Sequence, residues 1–497
     1  MLVGAKLRDS GNPATSIKIV DCSQGTDVNS SPAQAPARDS LLRHISAVLG
    51  GGICLLLMVF PQIPIQTRFV VAITAFLLVI RRGVLHERTF WTVVLYAIYI
   101  TIVGLVVIYS GGDGKIADAL YGLRLICTVL IVIVFVSAVP LQWLLLFLLA
   151  CQSLSLVGLL LDQLRGPAQR WVPFPIFGDV YLTYIAGRHG IIERFGGFTF
   201  EAGIVGGIAA YFMLLILCLV FLGYLNRGFR IRGLWRWLGY AGVLLGFAIT
   251  AFAKTKSGLV VLAGGGMAVT LATFLMPRQS TAWVRGVIIA TFAIAVVAAS
   301  LVWTGFHKSA MGNYLQNEID RVHDLSSGGL ESAEDGAGLK TRIDSAWLAL
   351  YALPYRPFGA GMTSGYWLVK PVIGKVEVSD EMEEFYREGR YMGFKGYIFD
   401  MVGYGGFVGL GFLFLLLRSV YKAWAGCVLM GAKPVALGLV FGLVLLGLTV
   451  ELLPFLEIVV LTALAGVSAQ RAAWPDVAVP EEFPGPFAYR ESDQIAK

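Results

Sequence analysis

Two arginines, two lysines and two carboxylates stand at the ends of hydrophobic stretches: Arg194, Arg342, Lys256, Lys395, Glu201 and Asp400. Their types suit chemistry on a phosphorylated lipid. A guanidinium holds a phosphate or diphosphate through two parallel hydrogen bonds and stays charged at any relevant pH. Lys256, with Lys254 in the short turn before it, offers point charges to the same anion. Glu201 and Asp400 fall just inside apolar segments, where a carboxylate needs a partner such as Arg194 or a watery cavity. Partial burial would raise a carboxyl pKa toward the range useful to a general base. Simpler readings stand beside these. Glu201 could cap a helix from the headgroup layer, the lysines could snorkel to the interface, and Arg342 could pair with Asp344 or Glu331. His189, His307 and His323 are titratable near neutrality, but lone surface histidines are usually bystanders. No HExxH, Walker A or DxD-like pattern is present, so ATP-driven and nucleotide-sugar mechanisms have no support.

The elements that must position these residues are membrane helices. The chain is 57% hydrophobic and 14% charged, with mean hydropathy +0.74, which excludes an ordinary soluble domain. Apolar runs predict spans near 42–61, 68–81, 90–109, 118–138, 141–161, 199–223, 235–253, 257–276, 284–303, 396–417, 434–453 and 455–470. The expected fold is therefore an all-α integral membrane protein of about twelve transmembrane helices. Its domain, 41–472, lies between polar tails at 1–40 and 473–497, and with no hydrophobic run in the first forty residues no signal peptide is expected there.

Arg82, Arg88, Arg227, Arg230, Arg232, Arg278, Arg418, Lys422 and Lys433 gather in alternate loops, against the single acid Glu87. By the positive-inside rule those loops and both termini are cytoplasmic. Loops 162–198 and 304–395 then lie outside. The net charge of +7 is accounted for by topology and anionic headgroups, with no nucleic acid required. All six cysteines fall in spans or on the inner side, so no disulfide framework is expected. No internal repeat is legible, and Gly264 to Gly266 reads as close helix packing.

The outer stretch 304–395, between the ninth and tenth spans, is the largest polar interruption, and Arg342, Arg356 and Lys395 in or beside it sit where water-facing chemistry could meet a lipid-borne substrate. Within it, 339–352 places Ile343, Trp347, Leu350 and Tyr351 at helical spacing, a helix against the membrane face. Pro-Phe-Gly-Ala-Gly at 357–361 is a turn, and 377–391 reads as a second helix, acidic early and basic late.

Three stretches resemble the O-antigen ligase and O-antigen polymerase superfamily. Arg194-Phe-Gly-Gly-Phe-Thr-Phe-Glu201 resembles that family's Arg-x-x-Gly lead-in to a span. Thr255-Lys256-Ser257-Gly258 is similar to the start of its Thr-x-Ser-Arg-x-Gly turn, with Gly258 where Arg is usual. Arg342, Trp347, Pro357, Gly359 and Gly361 follow its Arg, Trp, Pro-x-Gly-x-Gly order, and Gly406-Phe-Val-Gly409 resembles its Gly-x-x-Gly. Where the family's His precedes that pair, this chain has Lys395.

The resemblance implies a bacterial inner-membrane glycosyltransferase with its active site facing a periplasmic loop. It would join polyprenyl-diphosphate-linked oligosaccharides into a surface polysaccharide. Arg194, Arg342 and Lys256 would clamp the diphosphate, Glu201 or Asp400 would serve as base, and Lys395 would orient the acceptor. No metal or other cofactor is expected. Beyond the lipid-linked substrate and membrane lipids, a chain-length regulator and export machinery are conceivable partners. A ligase acting on lipid A core, or a transporter without bond chemistry, are the alternatives.

Overall fold

The structure is a computed structural model that describes residues 88–112, 115–123, 125–126, 141–165, 202–226, 229, 231, 233–253, 256–275, 337–362, 365–376, 378, 396–448 and 452–473. The expected spans 42–61, 68–81 and 284–303 lie outside these residues, as does the expected helix 377–391 apart from Val378. The described part is mostly helical, with an isolated bridge between Ile373 and Val376 and no strand among the described residues. Among the described residues, five helices are long and apolar enough to cross a membrane, as in an all-α membrane protein. These are α1 (Arg88–Tyr109), α3 (Leu141–Arg165), α4 (Ala202–Leu225), α5 (Leu234–Phe252) and α9 (Tyr397–Ala425). Helices α6 (Lys256–Leu275), α10 (Ala432–Gly447) and α11 (Leu452–Ala473) carry shorter apolar segments.

Helix α4 is apolar on all sides and correspondingly almost wholly buried, packed against α5, α6 and α10. Small residues let its neighbours close in. A Cβ on Gly239 would lie 2.6 Å from Val220, and one on Gly246 3.2 Å from the Ala209 carbonyl oxygen. Gly264 and Gly265 serve the same end on α6, where Leu445 and Leu214 occupy the space a side chain would need. By contrast, α1 and α5 turn Leu95, Ile98, Ile102, Val106, Trp237 and Leu244 outward, large apolar side chains suited to lipid.

Two expected spans differ in detail. Only the start of 118–138 is described. There α2 (Ile116–Leu120) passes into a 3-10 turn at Tyr121–Leu123, where Gly122 is pressed against Thr101 and Ile100 of α1. Helix α9 runs past the expected end at 417 to Ala425, and it is broken at Gly406 (φ 57°, ψ −140°). The break was not read from the sequence.

The outer stretch supplies α7 (Ala337–Ala352), within which the expected helix falls, and the short α8 (Gly365–Val369). Asp344, Ser345, Leu348, Ala349 and Ala352 are buried on α7, which packs on α9. Trp347, Leu350 and Tyr351, about half exposed, form the outward stripe that the spacing anticipates.

Candidate functional site

The turn that ends α7 is built into the break in α9. In an unbroken helix the Gly403 carbonyl would accept the Phe407 N–H. Here the Phe407 N–H donates to the Pro357 carbonyl at 2.9 Å, and the Ala360 N–H donates to the Gly403 carbonyl at 2.9 Å. The Gly361 N–H donates to the Tyr404 carbonyl at 2.9 Å. Residues 357–361 thus insert into the helical hydrogen-bond ladder and satisfy the groups that the break releases. Non-helical backbone inside a helical bundle requires such internal satisfaction.

Glycine is obligatory at the contact. Gly359 and Gly361 hold φ of 79° and 60°, a region that side chains disfavour. A Cβ on Gly359 would lie 2.4 Å from the Tyr404 carbonyl oxygen, and one on Gly361 2.2 Å from the Gly104 nitrogen of α1. The Tyr99 hydroxyl, also from α1, donates to the Phe358 carbonyl at 2.9 Å. Three segments distant in sequence therefore meet at one clasp.

Asp400 lies in the first turn of α9 and is 2% exposed. Tyr96 of α1 and Tyr397, in the same first turn of α9, are buried as well. Both hydroxyls are buried and have no hydrogen-bond partner among the described residues. Tyr96 stacks on Phe412 at 4.0 Å and Tyr397 on Phe455 at 3.9 Å, which fixes the two rings. The cluster is polar and closed to solvent.

On the other side of Tyr99 is a cleft of about 390 Å³. Arg356, Trp367 and Tyr355 form part of its lining, and the Arg356 guanidinium lies over the Trp367 ring, 3.7 Å from its centre. Lys375 donates to the Tyr355 hydroxyl at 3.5 Å.

Of the residues singled out by sequence, Asp400 is placed in full. Arg342 falls in α7 and Lys256 opens α6, their side chains outside the description. Arg194, Glu201 and Lys395 lie outside the described residues, as do Lys254, His189, His307 and His323. Gly258 has a packing reason. A Cβ there would lie 2.6 Å from Thr250 and 2.7 Å from the Gly206 carbonyl oxygen, so no arginine fits. The structure brings together Pro357, Gly359, Gly361 and Gly406, which the sequence offered as separate motifs. Sequence reasoning missed Tyr96 and Tyr397, since a tyrosine inside an apolar run carries no special signal. The Gly405-Gly406 pair in mid-span was a legible sign of the break, because sharp kinks favour such pairs.

Comparison with protein-family models, curated proteins and solved structures gives no match for this chain.

Proposed function

We propose that this protein is a glycan polymerase of the bacterial inner membrane. It joins polyprenyl-diphosphate-linked oligosaccharide repeats into a surface polysaccharide at the periplasmic face. In this reading about twelve spans cross the membrane, both termini are cytoplasmic, and 304–395 is the periplasmic loop between spans nine and ten. The observation that carries the reading is the clasp. Pro357, Gly359, Gly361 and Gly406, which support the resemblance to polysaccharide polymerases and ligases, meet at one point beside the buried Asp400.

The diphosphate lipid is already a good leaving group. The protein must stabilise departing negative charge and deliver an acceptor hydroxyl from the opposite face, which inverts the anomeric centre. Arg194, Arg342 and Lys256 clamp the diphosphate. The enclosure of Asp400 suits a positioning role for it, which gives the base role to Glu201, with Lys395 orienting the acceptor.

A broken helix also favours a second reading, transport, because transporters use unwound carbonyls to hold ions. Here the Gly403 and Tyr404 carbonyls accept from Ala360 and Gly361, which makes the break a docking site and favours the enzyme. Reconstitution with polyprenyl-diphosphate-linked oligosaccharide, with and without lipid A core, tests the reading. A ladder of repeats without added acceptor is expected. Transfer only to the core would make the protein a ligase, and unchanged substrate would refute bond chemistry.

A further inference from the structure

Five large side chains stand outward along one stretch of chain: Trp347, Leu350 and Tyr351 on α7, then Tyr355 and Phe358 where the chain enters the clasp. The Trp347 and Tyr351 rings lie 5.7 Å apart, and Phe358 is 67% exposed. A single exposed phenylalanine needs no reason, but a continuous strip of this kind marks a contact surface.

Helix α1 gives the depth at which the strip ends. Tyr355 and Phe358 line a cleft of about 390 Å³ together with Ile102 and Val106 of α1. Those two residues are 54% and 58% exposed, on a membrane-crossing helix whose apolar span ends at Tyr109. At 1.5 Å per residue they lie about 5–10 Å inside that end. Gly361, three residues beyond Phe358, is pressed against Gly104 at the same level. A helix lying in a membrane surface buries its apolar face to about this depth, 5–10 Å into the boundary between headgroups and acyl chains. Tyrosine and tryptophan suit that layer. Lys375, 4.7 Å from the centre of the Tyr355 ring, places a cation beside it for a headgroup. The Arg356 guanidinium is taken up by the Trp367 face, which leaves the cleft suited to hydrocarbon.

We propose that 347–358 is a membrane foot: its strip is inserted into one leaflet of the bilayer, and a phospholipid acyl chain fills the cleft between Phe358 and α1. The foot carries the clasp. The Phe358 carbonyl accepts from the Tyr99 hydroxyl, and the next residues enter the α9 ladder. The bilayer is thereby one of the contacts that hold the clasp closed, whether or not the protein makes a glycan.

The full-length protein would be placed in nanodiscs of phosphatidylcholine carrying a diazirine near the glycerol end of one acyl chain, irradiated, and mapped by peptide mass spectrometry. Adducts are expected on peptides covering 347–358 and 102–107, and not on the enclosed residues 209–216 of α4. Phe358→Ser should cut labelling of 355–359 about tenfold, since a phenylalanine side chain is worth that much in hydrocarbon. Labelling of 102–107 should persist in that variant, which shows an intact fold, and Phe358→Trp should label like the wild type. Labelling of 102–107 without 347–358 would put the strip in water and overturn the proposal, as would labelling unchanged by Phe358→Ser. Loss of the adducts when a small fraction of polyprenol is added would make the cleft an isoprenoid site and overturn it too.

Discussion

Gly406→Ala attacks the clasp at its narrowest point. The residue holds φ 57° and ψ −140°, and a side chain there costs about 1–3 kcal/mol in strain alone. The added Cβ would also lie 2.0 Å from the Pro357 carbonyl oxygen and 2.6 Å from the Gly359 nitrogen. Both neighbours are backbone, so the turn must lift. Lifting it breaks the Phe407–Pro357, Ala360–Gly403 and Gly361–Tyr404 hydrogen bonds, each contributing about 0.5–1.5 kcal/mol. Together the local penalty is about 3–7 kcal/mol. That is enough to undock 357–361 while the bundle, packed elsewhere through α4, α6 and α10, stays folded. Hydrogen exchange by mass spectrometry on peptides covering 357–361 reads this directly, since 403–408 closes its own helical ladder once the turn has left. Protection there should fall by about hundredfold or more, with little change in α4. Gly411→Ala is the control, since a Cβ there meets nothing within 4 Å, and it should be neutral or stabilising by about 0.5–1 kcal/mol. Unchanged protection in Gly406→Ala, or equal loss in Gly411→Ala, would refute the clasp.

Glu201→Gln should lower polymer formation by about 100-fold or more, as loss of a general base does, whereas Asp400→Asn should lower it only about tenfold. The opposite ranking in the reconstituted assay would give Asp400 the base role. Arg342→Lys should be nearly as inactive as Arg342→Ala, because one ammonium cannot replace a paired donor fork, and full activity of the lysine variant would remove Arg342 from the clamp. Tyr99→Phe removes the donor to the Phe358 carbonyl and should cost about 0.5–1.5 kcal/mol, seen as faster exchange of 357–361 than in wild type. Burial pushes the Cys427 thiol from 9.0 up to about 12. The folded state therefore holds that proton more tightly, and its stabilising effect is full below pH 9 and lost as pH rises toward 12. Iodoacetamide at pH 8 should leave Cys427 unmodified until the protein is unfolded, as peptide mapping would show.

Hydropathy was enough to find the helices at 90–109, 141–161 and 235–253, because a membrane helix must be apolar along its whole length. Sequence also marked Pro357, Gly359 and Gly361 as a turn, since their chemistry is local. That this turn would sit in the ladder of α9 was not legible, because the pairing spans distant residues and depends on three helices meeting. Arg356 was marked in the sequence as a basic residue of the outer stretch, but its surroundings were not legible. Its neighbours Tyr355 and Pro357 look ordinary in sequence, and only the fold sets Trp367 over its guanidinium and leaves its Nε without an acceptor.

The break in α9 bears on how the protein is made. While α9 enters the bilayer, Gly403 and Tyr404 carbonyls exposed to hydrocarbon would each cost several kcal/mol. A helix entering unbroken through Gly405 and Gly406, with its own ladder closed, avoids that cost. The exchange of partners then comes afterwards, when the turn, synthesised earlier and waiting beside α1, takes over those carbonyls. On this argument the clasp closes only after insertion, and a chain whose turn cannot dock would be inserted and helical, yet unfinished.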